Sequence, residues 1–371
     1  MDKYLHVVAP DLPRPSDSGL LKDLFYLIRG LHNKGVHVLL HCFGEVNEQD
    51  LLPFCKEVHS YPKKSGHEGF SLKIPFAVAS RSSEKLNIRL MNDHHPVLFV
   101  GFQTVFPLLD ETTMEKRNVV VRVLRNEHKY FNDLVHLQTW GAQKLFCKAE
   151  AFRFKGMMKR LSKSNIPFAT AIELETLPLT QVHVKHAFVA PFMPMPIQLQ
   201  TEGTGNYCFF YGNLGEVENE YAALWLLNNV FAKLELPFVI AGDHPSEKLE
   251  RAAHLRMHTC LVANPGEKEL QDLIKKAQVN ILPSFVSGGP SNNILQALAL
   301  GRHVVTNTMG SKESEIQAYC HIAEHPAEFI KTISALFNKA MDSTEHEKRA
   351  SLLNRNFNNE KGIQELLRML Y

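Results

Sequence analysis

Short apolar segments alternate with amphipathic segments along almost the whole chain. In the first half, "YLHVVAP" and "VHVLLHC" flank the helical pattern of "LLKDLFYLIRGLHNKG", and further strands are predicted at "PVLFVGF", "NVVVRVL" and "PFATAI". One long helical stretch is predicted from about residue 132 to 164. Alternation of buried strands and helices predicts a parallel sheet that is covered by helices on both faces.

The second half repeats this rhythm more regularly, from "YCFFYG" through "PFVIAG", "TCLVAN" and "VNILPS" to "HVVTN". The proline-rich segment "APFMPMPIQLQTEGTGN" between the halves is typical of a linker. We therefore predict an α/β protein with two Rossmann-like domains facing across a cleft. The predicted divisions are a first domain at 1–188, a linker at 189–205, a second domain at 206–355 and a final helix within 356–371.

Composition narrows the class of protein. The 371 residues are 44% hydrophobic and 22% charged, with a formal net charge of +2, so nothing in the overall charge favours a nucleic-acid partner. The six cysteines form no C-x-x-C pair, and we expect reduced thiols rather than a disulfide framework or a zinc site. No signal-peptide pattern or membrane-spanning apolar run is present, so the expected location is the cytoplasm.

The most informative loop follows the predicted strand "VNILPS". Ser287, Gly288 and Gly289 allow close approach of a ligand to the backbone, and a helix is predicted to begin at about Ser291. The unpaired N–H groups and partial positive charge of a helix amino end suit a phosphate. The alternative is that the glycines only form a turn and Ser291 only caps the helix.

Two further loops follow predicted strands of the first half. Asp17, Ser18 and Gly19 precede a helix, so facing helix amino ends of the two halves could hold a diphosphate; a local Asx turn and N-cap is the alternative. The segment "RNEHKYF" places Arg125, Glu127 and His128 at the end of a buried strand. They are candidate catalytic residues, and the alternative is a solvated charged loop.

The segments "FYGNLGEVENEYAALWLL", "VIAGDHPSEKL", "VANPGEKELQDLIKKAQVNILPSF" and "SGGPSNNILQALALGRHVV", with "PSDSG" and "RNEHKYF", resemble the retaining GT-B glycosyltransferases of glycosyltransferase family 4, in particular a bacterial branch that builds surface polysaccharide. The resemblance covers nearly the whole chain. It implies a GT-B fold whose final helix crosses back to the first domain. It also implies transfer of a sugar from a nucleoside-diphosphate donor, held by the second half, to a polysaccharide or lipid-linked sugar acceptor on the first half.

The resemblance also implies where the donor binds and that no metal or cofactor is needed. The sequence has no D-x-D motif and no convincing His/Cys spacing for a metal. The donor-binding residues that the resemblance and the loop chemistry together indicate are Gly212, Asn213, Val262, Pro265, Ser287, Gly288, Gly289, Ser291, Asn292, Asn293 and Gln296.

At several of these positions the chain departs from the family pattern. Two family glutamates are replaced by Gly288 and Gln296, and Gln296 is expected to hydrogen-bond a donor hydroxyl instead. Family histidines are replaced by Gln103, a further candidate catalytic residue, and by Leu124. A basic pair is replaced by Asn213 and Asn219. These departures keep open an accessory protein that binds nucleotide sugar or glycan without turnover. A nicotinamide dehydrogenase is disfavoured because G-x-G-x-x-G does not follow the first strand.

The segment "KLFCKAEAFRFKGMMKRLSK" at 144–163 combines seven basic residues with a single acidic one and several large apolar side chains. On a helix this pattern predicts peripheral contact with an anionic membrane. The alternative is a core helix whose outer face is basic.

Overall fold

The structure is a computed structural model that describes residues 2–14, 19–44, 53–109, 114, 117–164, 166–173, 177–178, 185–194, 203–288, 292–311 and 315–371. The predicted site residues Asp17, Ser18, Gly289 and Ser291 lie outside the described residues. None of the described helices is long and apolar enough to cross a membrane.

The described part of the amino-terminal domain is built from seven strands and five α-helices. Its elements are β1 (Lys3–Val8), α1 (Gly19–Asn33), β2 (Val36–Phe43), β3 (Glu57–Tyr61), α2 (Phe76–Ala79), α3 (Glu84–Met91), β4 (Val97–Val100), β5 (Val119–Val123), α4 (Glu127–Leu137), α5 (Gly141–Leu161), β6 (Phe168–Thr170) and β7 (His186–Phe188). The strands form one parallel sheet in the order β3-β2-β1-β4-β5-β6-β7.

The carboxyl-terminal domain contains a second parallel sheet of six strands. Its elements are β8 (Cys208–Tyr211), α6 (Val217–Trp225), β9 (Phe238–Gly242), α7 (Glu247–His254), β10 (Thr259–Ala263), α8 (Glu267–Lys276), β11 (Val279–Ile281), α9 (Asn292–Leu300), β12 (His303–Thr306), α10 (Thr308–Ser311), β13 (His321–Ile322), α11 (Pro326–Phe337), α12 (Ser343–Asn356) and α13 (Asn359–Leu370). The strand order is β10-β9-β8-β11-β12-β13.

The predicted class, two parallel-sheet α/β domains, is confirmed. The prediction of one long helix over 132–164 is wrong, because the chain leaves the helical conformation between α4 and α5. Gln138 and Trp140 are both extended, with ψ of 140° and 139°. Strands β3 and β7 were not predicted. They lie at the two edges of the first sheet. Polar and exposed residues such as Glu57 and His186 interrupt the apolar pattern by which buried strands are predicted.

A buried ion pair links the first helix, the middle of the first sheet and the connection between the domains. Asp23 of α1 accepts two hydrogen bonds from Arg122 of β5, at 2.9 and 2.7 Å, and both side chains are fully buried. Arg122 also donates to the carbonyls of Val189 and Ala190, and Asp23 accepts from the backbone N–H of Phe192 at 2.6 Å. Residues that lie just before the second domain are therefore fixed to the first sheet.

The final helix α13 packs against the amino-terminal domain. Ile363, Leu366 and Leu370 are buried in the same apolar cluster as the inner face of α1. The side chain of Asn359 at its start accepts from the N–H of Met193 and donates to the carbonyl of the same residue, at 3.2 and 2.7 Å. The connection is thus held from one side by Arg122 and from the other by α13.

We expect Asp23→Asn to lower the free energy of unfolding by about 3 to 5 kcal/mol, because the change leaves the Arg122 guanidinium buried without a countercharge. Urea unfolding followed by circular dichroism measures the loss. In the double variant Asp23→Leu/Arg122→Met no unpaired charge remains. Its loss of unfolding free energy should therefore be clearly smaller than the sum of the losses in the single variants Asp23→Leu and Arg122→Met. Additive losses would show that the pair is not the coupled unit described above.

Candidate active site

A cavity of about 360 Å³ lies between the two sheets, at the carboxyl ends of the strands of both domains. The amino-terminal domain lines it with residues at or after the ends of β4 and β5, such as Gly101 and Leu124, and with Gly19 at the start of α1. The carboxyl-terminal domain contributes residues beyond β8, β9 and β11, such as Asn213, Asp243 and Gly288. Open parallel sheets bind their ligands at this edge.

The amino end of α9 forms one wall of the cavity. Asn293 is fixed to the end of β8, because the Tyr211 hydroxyl donates to its carbonyl at 2.5 Å and its side-chain amide donates to the Tyr211 carbonyl at 3.3 Å. Asn292 reaches across the cleft and donates to the carbonyl of Gly19 at 2.7 Å. The start of α9 is therefore positioned by its own sheet and by the first domain together.

Further hydrogen bonds join the two domains around the cavity. Lys22 Nζ donates to the side-chain oxygen of Gln296 at 3.1 Å, and both residues are buried. The backbone N–H of Ser287 donates to the carboxylate of Asp133 on α4 at 2.7 Å. The hydroxyl of Tyr130, also on α4, donates to Glu218 at 2.8 Å. The two domains are in direct contact on several sides of the cavity.

The amino-terminal wall carries a connected polar group after β5. Glu127 is the first residue of α4, whose N-cap is Asn126, and a carboxylate is favourable at this end of a helix. Gln103 donates to Glu127 Oε1 at 2.8 Å, and Arg125 Nη2 lies 3.1 Å from Glu127 Oε2. The Arg125 guanidinium also lies 3.5 Å from the ring centroid of Tyr130. Glu127 thus contacts both the Gln103 amide and the Arg125 cation, and Glu127 and Arg125 line the cavity.

The electrostatics of this wall depend on Arg125. Burial alone would lower the pKa of Arg125, but the nearby carboxylates of Glu127 and Glu218, together with Tyr130, raise that pKa above its usual value. Burial, followed by the neighbouring Glu218 carboxylate, raises the pKa of Glu216 to about 7, with Arg125 acting in the opposite direction. Arg125 therefore remains a cation, whereas Glu216 is only partly ionised at neutral pH.

Several polar atoms at this interface are shielded from solvent and lack a hydrogen-bond partner among the described residues. They are Oε1 of Gln103, Oδ1 of Asn292 and Nε2 of Gln296. Oε2 of Glu127 also has no aligned donor, although it lies within ion-pair distance of Arg125. Leaving a buried polar group unpaired costs about 1 to 3 kcal/mol, and such groups are rare in native proteins. Of these residues, Asn292 and Glu127 also line the cavity, so a polar ligand there would lie beside them.

Other predicted site residues are not part of the cavity lining, and these include Gln103, Ser287 and Gln296. The ring of His128 points to α5, where its Nδ1 donates to the carbonyl of Ala151 at 2.9 Å. Val262 lies in β10 and the buried Pro265 follows that strand, and neither is among the residues that line the cavity. Gly212 lies behind the lining, where its carbonyl approaches Gly242 so closely that no Cβ fits on Gly242.

Sequence reasoning missed Lys22, Tyr130, Glu216, Glu218 and Asp243. Glu216 and Asp243 follow β8 and β9, so the rule that ligands bind beyond the carboxyl ends of parallel strands would have found them. Lys22 lies within the helical pattern of α1 and does not follow a strand, so the same rule does not find it. Within the described part of the chain, no group of three or more His, Cys, Asp or Glu residues is arranged to hold a metal ion.

Two facing parallel-sheet domains with a cleft at their strand ends and a helix that returns to the first domain define the GT-B fold. Residues 205–339 match the family model described as glycosyl transferases group 1. The chain is also similar to TarM from S. aureus, solved as a mutant with fondaparinux, α-GlcNAc-glycerol and UDP. The TM-score is 0.66 at 9% identity, with 99% of each chain covered.

The chain is similar in fold to HepE from Anabaena, solved with UDP and glucose, with a TM-score of 0.63 at 9% identity and 99% of each chain covered. Among curated sequences it is 25% identical over 334 residues to an uncharacterised 44.6 kDa protein in the cps region of Klebsiella pneumoniae, which covers 82% of this chain and 83% of that protein. The family model and the fold together support a GT-B glycosyltransferase.

Gly288→Val tests whether the cavity holds a nucleotide. No described atom lies within 4 Å of a Cβ built on Gly288, so the new side chain would project into the cavity without disturbing the fold. We expect affinity for UDP-glucose, measured by isothermal titration, to fall more than about tenfold, or about 1.4 kcal/mol. Gly156→Val is the matched control, because Gly156 also has open space around it but lies on α5. Equal affinities in the two variants would remove Gly288 from the site.

Proposed function

We propose that this protein is a retaining glycosyltransferase of glycosyltransferase family 4. It transfers a hexosyl group from a nucleoside-diphosphate donor to a polysaccharide or lipid-linked sugar acceptor. The observation that carries the proposal is the cavity itself, since it lies at the carboxyl ends of both sheets and is lined by polar and charged residues of both domains. Arg125 and Asn292 line it from opposite domains, so a ligand that contacts both must bridge the cleft.

The donor diphosphate binds at Gly288 and the amino end of α9. The helix dipole and the unpaired N–H groups of the first turn attract the anion there. Arg125 lies on the facing wall of the cavity. The leaving-group charge is met by Arg125 and by the helix end, and the reaction needs no metal ion.

Four carboxylates line the described cleft, and three of them, Glu127, Glu216 and Glu218, are engaged or partly neutral; Asp243 is the fourth. Glu127 is paired with Arg125, and Glu218 accepts a hydrogen bond from Tyr130. The pKa of Glu216 is raised to about 7, so a fraction of its carboxyl groups is uncharged at neutral pH. A bound diphosphate therefore faces less negative charge than the residue types alone imply.

Transfer proceeds with attack on the face of the sugar from which the diphosphate leaves. The acceptor hydroxyl oxygen forms the new bond to the anomeric carbon while the bond to the diphosphate oxygen breaks. That phosphate oxygen takes the proton of the acceptor. Glu127, which accepts a hydrogen bond from Gln103, orients Arg125 towards the departing group, and Arg125 stabilises the charge that develops on it.

Surface polysaccharide is the proposed product class. The sequence relative in Klebsiella pneumoniae lies in a cps region, and the structural relatives were solved with UDP and with glucose or glycans. We propose that the protein works in the cytoplasm, where nucleotide sugars are available, and contacts the membrane peripherally.

The function is tested by screening UDP-, GDP- and ADP-sugars for thermal stabilisation and then assaying transfer with the donors that bind. A donor at about 100 times its dissociation constant stabilises the native state by about 2.7 kcal/mol. With the active donor, Glu127→Gln should lower kcat by about 100-fold and leave donor affinity nearly unchanged, because the charge that aligns Arg125 is lost. Glu250→Gln on α7 is the control. Full activity of Glu127→Gln would exclude this role, and the absence of any binding donor would overturn the proposed function.

Donor affinity should also depend on pH through Glu216. Its pKa of about 7 means that the carboxyl group loses its proton as the pH rises through neutrality. The ionised form repels the diphosphate, so affinity for UDP-glucose should fall several-fold between about pH 6 and pH 8. UDP-glucose has no titrating group of its own in this range. Titration calorimetry on Glu216→Gln should give a flat profile, and an unchanged slope in that variant would assign the effect to another group.

A further inference from the structure

Helix α5 has an exposed face on which lysines alternate with large apolar side chains. Lys148, Phe152, Lys155 and Lys159 recur at spacings of three or four residues and are all exposed, so they share one side of the helix. Leu145 and Phe152 are 70% and 79% exposed. Within the described part of the chain, none of these lysines forms an ion pair or a side-chain hydrogen bond.

The core of the domain does not need these exposed apolar residues. The opposite side of α5 covers the sheet with Phe154, Met157, Met158 and Leu161, all of which are buried in the core cluster. The single acidic residue of the helix, Glu150, is fully buried, where it pairs with Arg153 and accepts from the N–H of Phe76. The outer face is therefore uniformly cationic and still carries large apolar groups.

A neighbouring loop extends the same surface. Phe70 is 56% and Leu72 is 79% exposed. The carbonyl of Leu72 accepts from Arg153 at 3.3 Å, and the guanidinium of Arg153 lies 5.4 Å from the centre of the Phe70 ring. Lys73 next to them is also exposed. Two separate segments thus present the same combination of exposed apolar side chains and positive charge.

This surface begins beside the cleft. Cys147 of α5 packs in one apolar cluster with Tyr130 of α4 and with Val286, which lines the cavity. Its sequence neighbours Phe146 and Lys148 are exposed. A partner that binds the exposed face of α5 therefore lies close to the entrance of the proposed active site.

We propose that the exposed face of α5, with Phe70 and Leu72, docks on a membrane surface that contains anionic lipid and so presents the cleft to a lipid-linked acceptor. The second part of this inference, presentation of the cleft to a lipid-linked acceptor, rests on the proposed transfer function. Leu145 and Phe152 enter the interfacial region, and the lysines attract the headgroups. A symmetric dimer across this face is disfavoured, because it would bring the same lysines of two copies together.

The test is co-sedimentation of the full chain with vesicles of phosphatidylcholine alone and with about 30% phosphatidylglycerol. We expect binding only to the anionic vesicles, and a strong decrease at about 0.5 M salt because screening weakens the attraction. Lys148→Gln/Lys155→Gln should lower the partition coefficient about 25-fold, since each lysine contributes about fivefold. Leu145→Ser/Phe152→Ser should weaken binding as well.

The matched controls lie on the other domain. Lys248→Gln/Lys331→Gln removes two exposed lysines, and Leu255→Ser/Met257→Ser removes two exposed apolar side chains, so both should bind like the unmodified chain. Protein that stays in the supernatant with anionic vesicles at low salt overturns the proposal. So does a dimer of the unmodified chain that dissociates in Leu145→Ser/Phe152→Ser, because the exposed face would then be a contact between two copies. Thermal stabilisation by nucleotide sugar without vesicles is measured separately, so failure of membrane docking is distinguished from failure of the proposed function.

Discussion

The arrangement of the cleft depends on one buried ion pair, between Asp23 and Arg122. Asp23 directly follows Lys22, which contacts Gln296 across the interface, and Arg122 lies three residues before Arg125 on the cleft wall. The same pair holds the connection between the domains through three backbone hydrogen bonds. A buried pair is expensive to form but more expensive to break, so it fixes these three segments relative to one another.

The interface that results is polar and incompletely satisfied. Lys22, Tyr130 and Asn292 each form a hydrogen bond across it, yet Gln103 and Gln296 retain shielded atoms without partners in the described chain. An interface optimised only for stability would satisfy or remove such groups. Arg125 and Asn292 line the cavity from opposite domains, so a polar ligand there would add contacts between the domains. The family model match over 205–339 and the fold of the relatives agree with a GT-B glycosyltransferase.

The sequence predicted the fold because buried parallel strands such as β5 and β9 are short, apolar and separated by helices. It predicted Gly288 and Glu127 at the cleft because both follow strands of a parallel sheet. It did not predict that the side chains of Glu127 and His128 point in different directions, with Glu127 at the cavity and His128 against α5. Since α4 begins at Glu127, successive side chains diverge by about 100°, and His128 turns to α5. The pairing of Lys22 with Gln296 spans 274 residues and arises only when the domains meet, so no local pattern encodes it.

The central claim is that a nucleoside diphosphate bridges the two domains in the cleft. Hydrogen exchange measured by mass spectrometry with and without UDP tests it most directly, because a ligand held between the domains slows exchange in both. The account predicts added protection at 284–288 and at the start of α9 together with protection around Gln103 and residues 124–130, and no change in α11. Protection confined to one domain, or no change at either wall under saturating UDP, would contradict it.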